Sequence, residues 1–223
     1  MTETLPGKFI VLDGPEGSGK STQLLRLVEW LRDSGRQSTA VRDPGSTVVS
    51  ERIRHLLLDK TLPDIDVRTE VFLYMASRAE MVARVIRPAL SVGLVVVGDR
   101  YVSSTVAYQG YGGGFEPSAI WQLAKVACGE VMPDLTIILD LPVSVGFERI
   151  HGAKPRAKGG PQLSFQFFCD RVEMRDRPFH ERVRRGYLEM AQADPAKFAV
   201  VDAQRPPDEV AAAVREAVAR VLR

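Results

Sequence analysis

Five strand signals punctuate the chain, at residues 8–13, 37–42, 93–98, 134–140 and 197–201, and helical patterns separate each from the next. Short runs with little polar alternation suit strands buried on both faces. Their alternation with helices predicts an α/β protein with a five-stranded parallel sheet covered by helices on both sides. A long helix is predicted from Val67 to about Ser91, interrupted near Pro88, and a terminal amphipathic helix from about Pro207 to Leu222. Such sheets bind ligands beyond the carboxyl ends of their strands. The residues just after each run therefore carry the first weight: Gly14 to Ser21, Asp43 to Thr47, Asp99 to Tyr101, Pro142, and Asp202 to Gln204.

The first of these is the most specific. Gly14-Pro15-Glu16-Gly17-Ser18-Gly19-Lys20-Ser21 fits G-x-x-x-x-G-K-[ST], follows the apolar run Phe9 to Leu12 and precedes a helical pattern from Thr22 to Leu31. Its glycines let the backbone turn tightly and aim N–H groups inward, Lys20 adds a point charge, and Ser21 offers a hydroxyl to a metal. Phosphates held there would lie at a helix N-terminus, where partial positive charge collects. Residues Gly14 to Thr22 are thus expected to cradle a nucleoside triphosphate.

Composition narrows the class. With 223 residues, 45% hydrophobic and 26% charged, the chain is expected to be one globular domain spanning 1–223. A net charge of +2, with no Lys/Arg block outside one loop, argues against a nucleic-acid surface. No apolar stretch approaches the length of a membrane span, and the start lacks a charged-then-apolar signal pattern, so no membrane association and a cytoplasmic location are expected. Cys128 and Cys169 stand far apart, and His55, His151 and His180, without ligand spacing, read as surface or capping residues. Ala153 to Pro161, rich in Gly, Pro and positive charge, reads as part of a short mobile lid over about 150–163.

Other motifs separate the P-loop classes. The guanine-reading Asn-Lys-x-Asp of GTPases does not occur, and Leu139-Asp140-Leu141 carries one acid where a motor ATPase would carry a pair. Asp99-Arg100-Tyr101 instead presents an acid and an arginine at the end of a buried strand, both expected to be exposed: Asp99 to bind Mg²⁺ through water, Arg100 to clamp a second phosphate. Arg175, Arg177, Arg182, Arg184 and Arg185 read as a solvated helical face with Glu173, Asp176 and Glu181.

Over nearly its whole length the chain resembles the thymidylate kinase family. The matching pieces run in order from Phe9 to Thr22, Arg42-Asp-Pro-Gly-Ser-Thr47, Ile53 to Leu58, Thr69 to Arg78, Ile86 to Leu90, Asp99 to Gly110, Phe168 to Glu173 and Arg182 to Leu188. The resemblance implies a P-loop kinase fold, a homodimer, and Mg²⁺-dependent transfer of the γ-phosphoryl of ATP to dTMP. It places Tyr74 against the thymine, Arg78 on a base carbonyl, Thr105 and Gln109 in the base site, Tyr108 against the deoxyribose and Arg100 on the dTMP phosphate. Asp43 and Pro44 fall in the dTMP site, Arg149 beside ATP, and Lys20, Glu16, Asp99 and Arg100 in the catalytic centre, with Ser21 and Asp99 as metal ligands.

Two departures qualify it. Asp43 is one methylene shorter than the glutamate of the family's Arg-Glu-Pro-Gly-Gly-Thr. Glu16-Gly17 matches the subclass without a P-loop arginine, which makes Arg156, beside Lys154 and Lys158 and between Arg149 and Arg171, the arginine expected to reach the transferring phosphoryl group. The alternatives left open are another P-loop nucleotide or deoxynucleoside kinase, and a nucleotide-binding regulator with weakened catalysis.

Overall fold

A computed structural model describes residues 6–62, 64–152 and 175–222, with His151 described by its backbone alone. Most of the expected lid, residues 153–163, lies outside the described residues, as do Lys154, Arg156, Lys158, Cys169 and Arg171.

The five predicted strands form one parallel sheet. In chain order they are β1 (Lys8–Asp13), β2 (Ser38–Arg42), β3 (Val95–Asp99), β4 (Leu135–Asp140) and β5 (Phe198–Asp202), and they lie side by side as β2-β3-β1-β4-β5. The chain leaves central β1 for β2, returns to β3, then crosses to the β4 side, so the connections diverge around β1 and open a crevice at its carboxyl end. Alternation along β1 feeds two cores. Phe9 and Val11 pack with Val71, Met81, Ile120 and Tyr187, while Ile10 and Leu12 pack with Leu24, Leu27, Val210 and Val214. Helices α1 (Lys20–Asp33) and α9 (Pro207–Val221) cover the second face, and α3 (Val67–Met81), α6 (Pro117–Cys128) and α8 (Arg177–Ala193) the first. Helix α2 (Val48–Leu58), capped by the Thr47 hydroxyl on Ser50 N, packs beside α3, and α7 (Val143–Gly152) follows β4.

The interruption expected near Pro88 takes the form of a widened turn and not of a break. Helix α3 runs through a π-helical turn, Val82–Ile86, straight into α4 (Arg87–Ser91). A proline lacks the N–H of a regular turn and crowds the carbonyl four residues earlier. The wider turn just upstream, closed by Arg87 N–H on the Val82 carbonyl, accommodates it without a break.

A second π-helical segment, Val106–Gly112, continues α5 (Val102–Thr105) and lies against α8. The approach depends on missing side chains: a Cβ at Gly186 would sit 2.5 Å from the Tyr111 ring, and one at Gly112 2.6 Å from the Phe179 ring. Gly186→Ala is therefore expected to lower the unfolding free energy by about 1–3 kcal/mol through overpacking, whereas Gly152→Ala, whose Cβ meets none of the described residues within 4 Å, should not. Urea denaturation of both variants tests this, and equal stability would show that α8 yields freely.

Candidate active site

Strand β1 ends in Asp13, and the chain turns through Gly14 to Gly19 into the first residue of α1, Lys20. Lys20 is buried, and its ammonium donates to the carbonyls of Gly14 (3.0 Å) and Pro15 (2.8 Å) and to Ser18 Oγ (3.4 Å). The loop is thereby curled around its own cation. Gly17 has φ +72°, and a Cβ there would stand 2.5 Å from the Gly146 carbonyl oxygen of α7. Helix α7 thus closes one side of the loop, and Arg149, on the same helix, donates to Gly17 O (3.4 Å) and Ala203 O (3.0 Å).

Asp13 is 0% exposed and organises the floor. It accepts from Gly14 N (2.9 Å), Ser103 Oγ (2.6 Å), Ser104 Oγ (2.7 Å) and the Tyr187 hydroxyl (2.6 Å), with Arg100 Nη1 at 3.5 Å. Arg100 leaves β3 with φ +69°, an uncommon backbone for a side-chain-bearing residue. Its Nη1 donates to Gly14 O, Ser104 Oγ and Tyr187 Oη, and its Nη2 to Glu16 Oε1 and the Tyr108 hydroxyl, while the guanidinium carbon stands 5.0 Å from the centre of the Tyr108 ring. The expectation that Asp99 and Arg100 are both exposed is corrected. Asp99 is the last residue of β3 and buried between β1 and β2, which pair with it on either side, and the Arg100 side chain is 18% exposed because α8 closes over it.

The remaining site residues gather along α3 and the 102–112 segment. Arg78, fully buried, donates through Nε to Asp43 Oδ2 at 2.6 Å and through Nη2 to Tyr101 O and Thr105 Oγ1. Gln109 Nε2 donates to Glu70 Oε2 at 3.0 Å. Tyr74, half-buried, sits one turn from each of Glu70 and Arg78. The Asp43–Pro44 peptide is cis, and Arg42 and Ser46 N, flanking the turn, bond Glu51 of α2.

Charge shifts reflect this packing. Burial raises Asp99 against the pull of Lys20 and Arg100, and burial raises Asp43 against the pull of Arg78. Burial and the neighbouring Arg100 lower Lys20. For Glu16 burial also favours the neutral acid, but Arg100, Lys20 and the Tyr108 hydroxyl together outweigh it and pull the carboxyl from 4.5 down to about 2.

Asp13, Ser103, Ser104, Tyr187 and Glu70 were missed as site residues, although all lie inside the matched segments; a hydroxyl pair after Asp99-Arg100 was the one available signal. The basic cluster is only partly a solvated face. Arg177 and Arg185 pair with Glu181 and Glu189 on the surface of α8, but Arg184 forks onto Asp140 (2.8 and 2.9 Å), Arg182 donates to Gly112 O, and Arg175 lies over Phe179. Arg175 and Arg184 are half-buried by these contacts, while Arg182 stays exposed even though it reaches the π-helical segment. His180, expected at the surface, is buried with its ring edge-on to Phe147 and Phe179.

A parallel sheet in this order, with a phosphate loop after the central strand and an arginine closing over it from the neighbouring strand, defines a P-loop kinase. The thymidylate kinase family model matches residues 12–214, and the chain belongs to that family. It is 45% identical over 214 residues to the thymidylate kinase of Solidesulfovibrio magneticus, covering 96% of this chain and 100% of that one, and 42% identical over 212 residues to that of Deinococcus radiodurans, covering 95% and 96%. The crystal structure of thymidylate kinase from Ehrlichia chaffeensis superposes with a TM-score of 0.73 at 28% identity, covering 95% of this chain and 98% of that chain.

Glu16 provides a pH test. Its folded-state pKa is depressed, so the stability contributed by its ionised form is complete above about 4.5 and is lost as the pH falls toward about 2. A shift of that size corresponds to roughly 3 kcal/mol. Between pH 5 and 2.5 the wild type is expected to lose stability more steeply than Glu16→Gln, measured by urea unfolding at each pH; parallel curves would mean that Arg100 and Lys20 do not hold the charge.

Proposed function

We infer that this protein transfers the γ-phosphoryl group of ATP to dTMP, giving ADP and dTDP. The observation that carries the reading is the meeting of the Lys20 loop with Arg100, Glu16 and Tyr108 at the carboxyl end of β1, next to the Arg78, Tyr74 and Gln109 face of α3 and its partner segment. In the reaction an oxygen of the dTMP phosphate attacks the γ-phosphorus, its bond to the β,γ-bridging oxygen breaks, and ADP leaves with that electron pair. Phosphoryl transfer of this kind asks the protein for alignment and charge neutralisation. The amides of Gly14 to Ser21 and the Lys20 ammonium hold the donor phosphates, with Thr22 at the start of the following turn and Arg149 on the ATP side. Arg100 holds the phosphate of dTMP, and Tyr108 packs against the sugar. Arg78, Tyr74, Thr105 and Gln109 take the base, with Asp43 and Pro44 closing the turn behind Arg78.

Among the described residues no group of three or more His, Cys, Asp or Glu could enclose a metal. Mg²⁺ does not need one, because it is commonly bound by one or two protein oxygens and substrate phosphates. Ser21 Oγ at the head of α1 and the Asp99 carboxylate, which takes no hydrogen bond from any described residue and lies close enough to Lys20 to feel its charge, are hard oxygen donors that fit it. When bound, Mg²⁺ supplies charge neutralisation at the transferring phosphates. Arg156, outside the described residues, remains our assignment for the cation over the γ-phosphoryl.

The reading includes a cytoplasmic homodimer that binds neither nucleic acid nor membrane. Apolar side chains left exposed on α2 and α3, Val49, Leu56 and Phe72, support the dimer, and no helix among the described residues is long and apolar enough to cross a membrane. Nothing in the described site favours a deoxynucleoside kinase or a non-catalytic regulator.

A coupled assay of ADP release across nucleotide acceptors tests the function directly, with turnover expected for dTMP and dependent on Mg²⁺. Turnover with AMP or a nucleoside but not with dTMP would reject it. Lys20→Ala is expected to remove activity while the thermal transition persists. Arg100→Ala should raise KM for dTMP and lower kcat, about a hundredfold or more in kcat/KM, while leaving the affinity for ATP within a few-fold. Equal weakening of both nucleotides would remove Arg100 from the dTMP phosphate.

A further inference from the structure

Glu70 is absent from the roles assigned above, yet it lies in the same row as two of the residues that have one. Glu70, Tyr74 and Arg78 recur every four residues on α3 and so share a face. Thr105 and Gln109, four apart on the opposing segment, meet the ends of that row: Arg78 Nη2 donates to Thr105 Oγ1 at 3.1 Å, and Gln109 Nε2 donates to Glu70 Oε2 at 3.0 Å. Glu70 and Gln109 are each 3% exposed. An ionised carboxylate only accepts, so Glu70 can meet Gln109 only at its NH₂ end. The amide oxygen, Oε1, takes no hydrogen bond from any described residue. Arg175 Nη2 lies 3.5 Å from Glu70 Oε1, with its guanidinium over the Phe179 ring.

We propose that Glu70 is a positioning residue that fixes the amide of Gln109 with its oxygen toward the base, making the site selective for pyrimidines that carry a hydrogen on N3. This rests on the dTMP reading above and deepens it. Thymine and uracil present an N3–H donor flanked by carbonyls. Cytosine presents an N3 lone pair and an amino group at C4. A fixed amide oxygen attracts the first pattern and repels the second, while Arg78, which only donates, complements a C4 carbonyl and opposes a C4 amino group. Without the carboxylate the amide is free to turn over and offer its NH₂ to a cytosine N3. The discrimination therefore depends on a group that need not touch the base.

The experiment is steady-state kinetics of the full-length enzyme with dTMP, dUMP and dCMP, on wild type, Glu70→Gln, Gln109→Met and the double variant, each checked for a cooperative thermal transition. In Glu70→Gln the neutral amide can donate to Gln109 Oε1 and permits the turned-over orientation. The dCMP to dTMP ratio of kcat/KM is expected to rise about tenfold or more, the loss for dTMP appearing in KM rather than kcat, with dUMP following dTMP. Gln109→Met should raise the same ratio, and adding Glu70→Gln to it should change the ratio no further, because nothing remains to be oriented. An unaltered ratio in either single variant, or a full additional effect in the double variant, overturns the inference. Should Glu70→Gln fail to fold, an unaltered ratio in Gln109→Met still overturns the inference, since it removes the reader. Wild-type enzyme without dTMP turnover would instead sink the proposed function itself.

Discussion

One buried carboxylate fixes the relations among the parts of this site. Asp13 closes β1 with no exposure and is bonded by a backbone amide, two serine hydroxyls and a tyrosine hydroxyl, with a guanidinium alongside. A buried charge is tolerated only when its lone pairs are met, and here they are met by groups from four stretches of chain: the phosphate loop, the turn after β3, α5 and α8. Each donor is thereby placed with respect to the others. The left-handed backbone at Arg100 belongs to the same arrangement, for a conformation that costs about 1 kcal/mol or more persists only where its surroundings determine it. Gly14, Ser104 and Tyr187 supply that determination by holding the side chain above the loop.

The other half of the site is built on a second buried charge. Arg78 and Asp43 bond at 2.6 Å with both side chains almost wholly out of water, and removing either would leave an uncompensated charge in the interior. The shorter carboxylate at 43 thus has a structural consequence. It sits directly on the guanidinium, so on the proposed function Asp43 acts by orienting the arginine that faces the base. Since Asp43 N also bonds the Asp99 carbonyl, the turn after β2 is tied to the end of β3, and the two halves share a common frame.

How far the sequence discloses the structure depends on how local each signal is. The strands were legible to within two residues because burial on both faces leaves a run such as Val95-Val96-Val97 no alternative pattern, and the phosphate loop because its function needs fixed residue types at fixed spacing. The π-helical turn at Val82–Ile86 was not, since a proline signals a disturbance without saying whether the helix breaks or widens. Asp13 was missed for a different reason: its partners lie about ninety and more than one hundred and seventy residues away, and no local spacing encodes them. His180 and Arg184 were misread as surface for the same cause, as a helix rich in charge gives no sign of which side chains will meet a ring or an acid on another element. The resemblance to a family supplied positions such as Arg100 and Gln109 but not the groups bonded to them, Tyr187 and Glu70.

The loop itself restricts where positive charge can come from. At Gly17 a positive φ and a carbonyl 2.5 Å from where a Cβ would stand leave no room for an arginine side chain unless α7 withdraws. The restriction is mutual, because a Cβ at Gly146 would meet the Glu16 carbonyl at the same 2.5 Å. Two glycines on different elements therefore let α7 lie flat on the phosphate loop, and this contact places Arg149 where it can donate to the loop's own backbone. Lys20 is already enclosed by three oxygens of the loop and pushed down by burial and by Arg100, so any further cation for a developing phosphoryl charge has to enter from outside the loop. On the proposed function that cation is assigned to Arg156, which stands between Lys154 and Lys158 in the sequence after α7. On that reading the tight seating of α7 against Gly17 and the basic composition of the sequence after α7 answer one constraint, since position 17 has no room for an arginine.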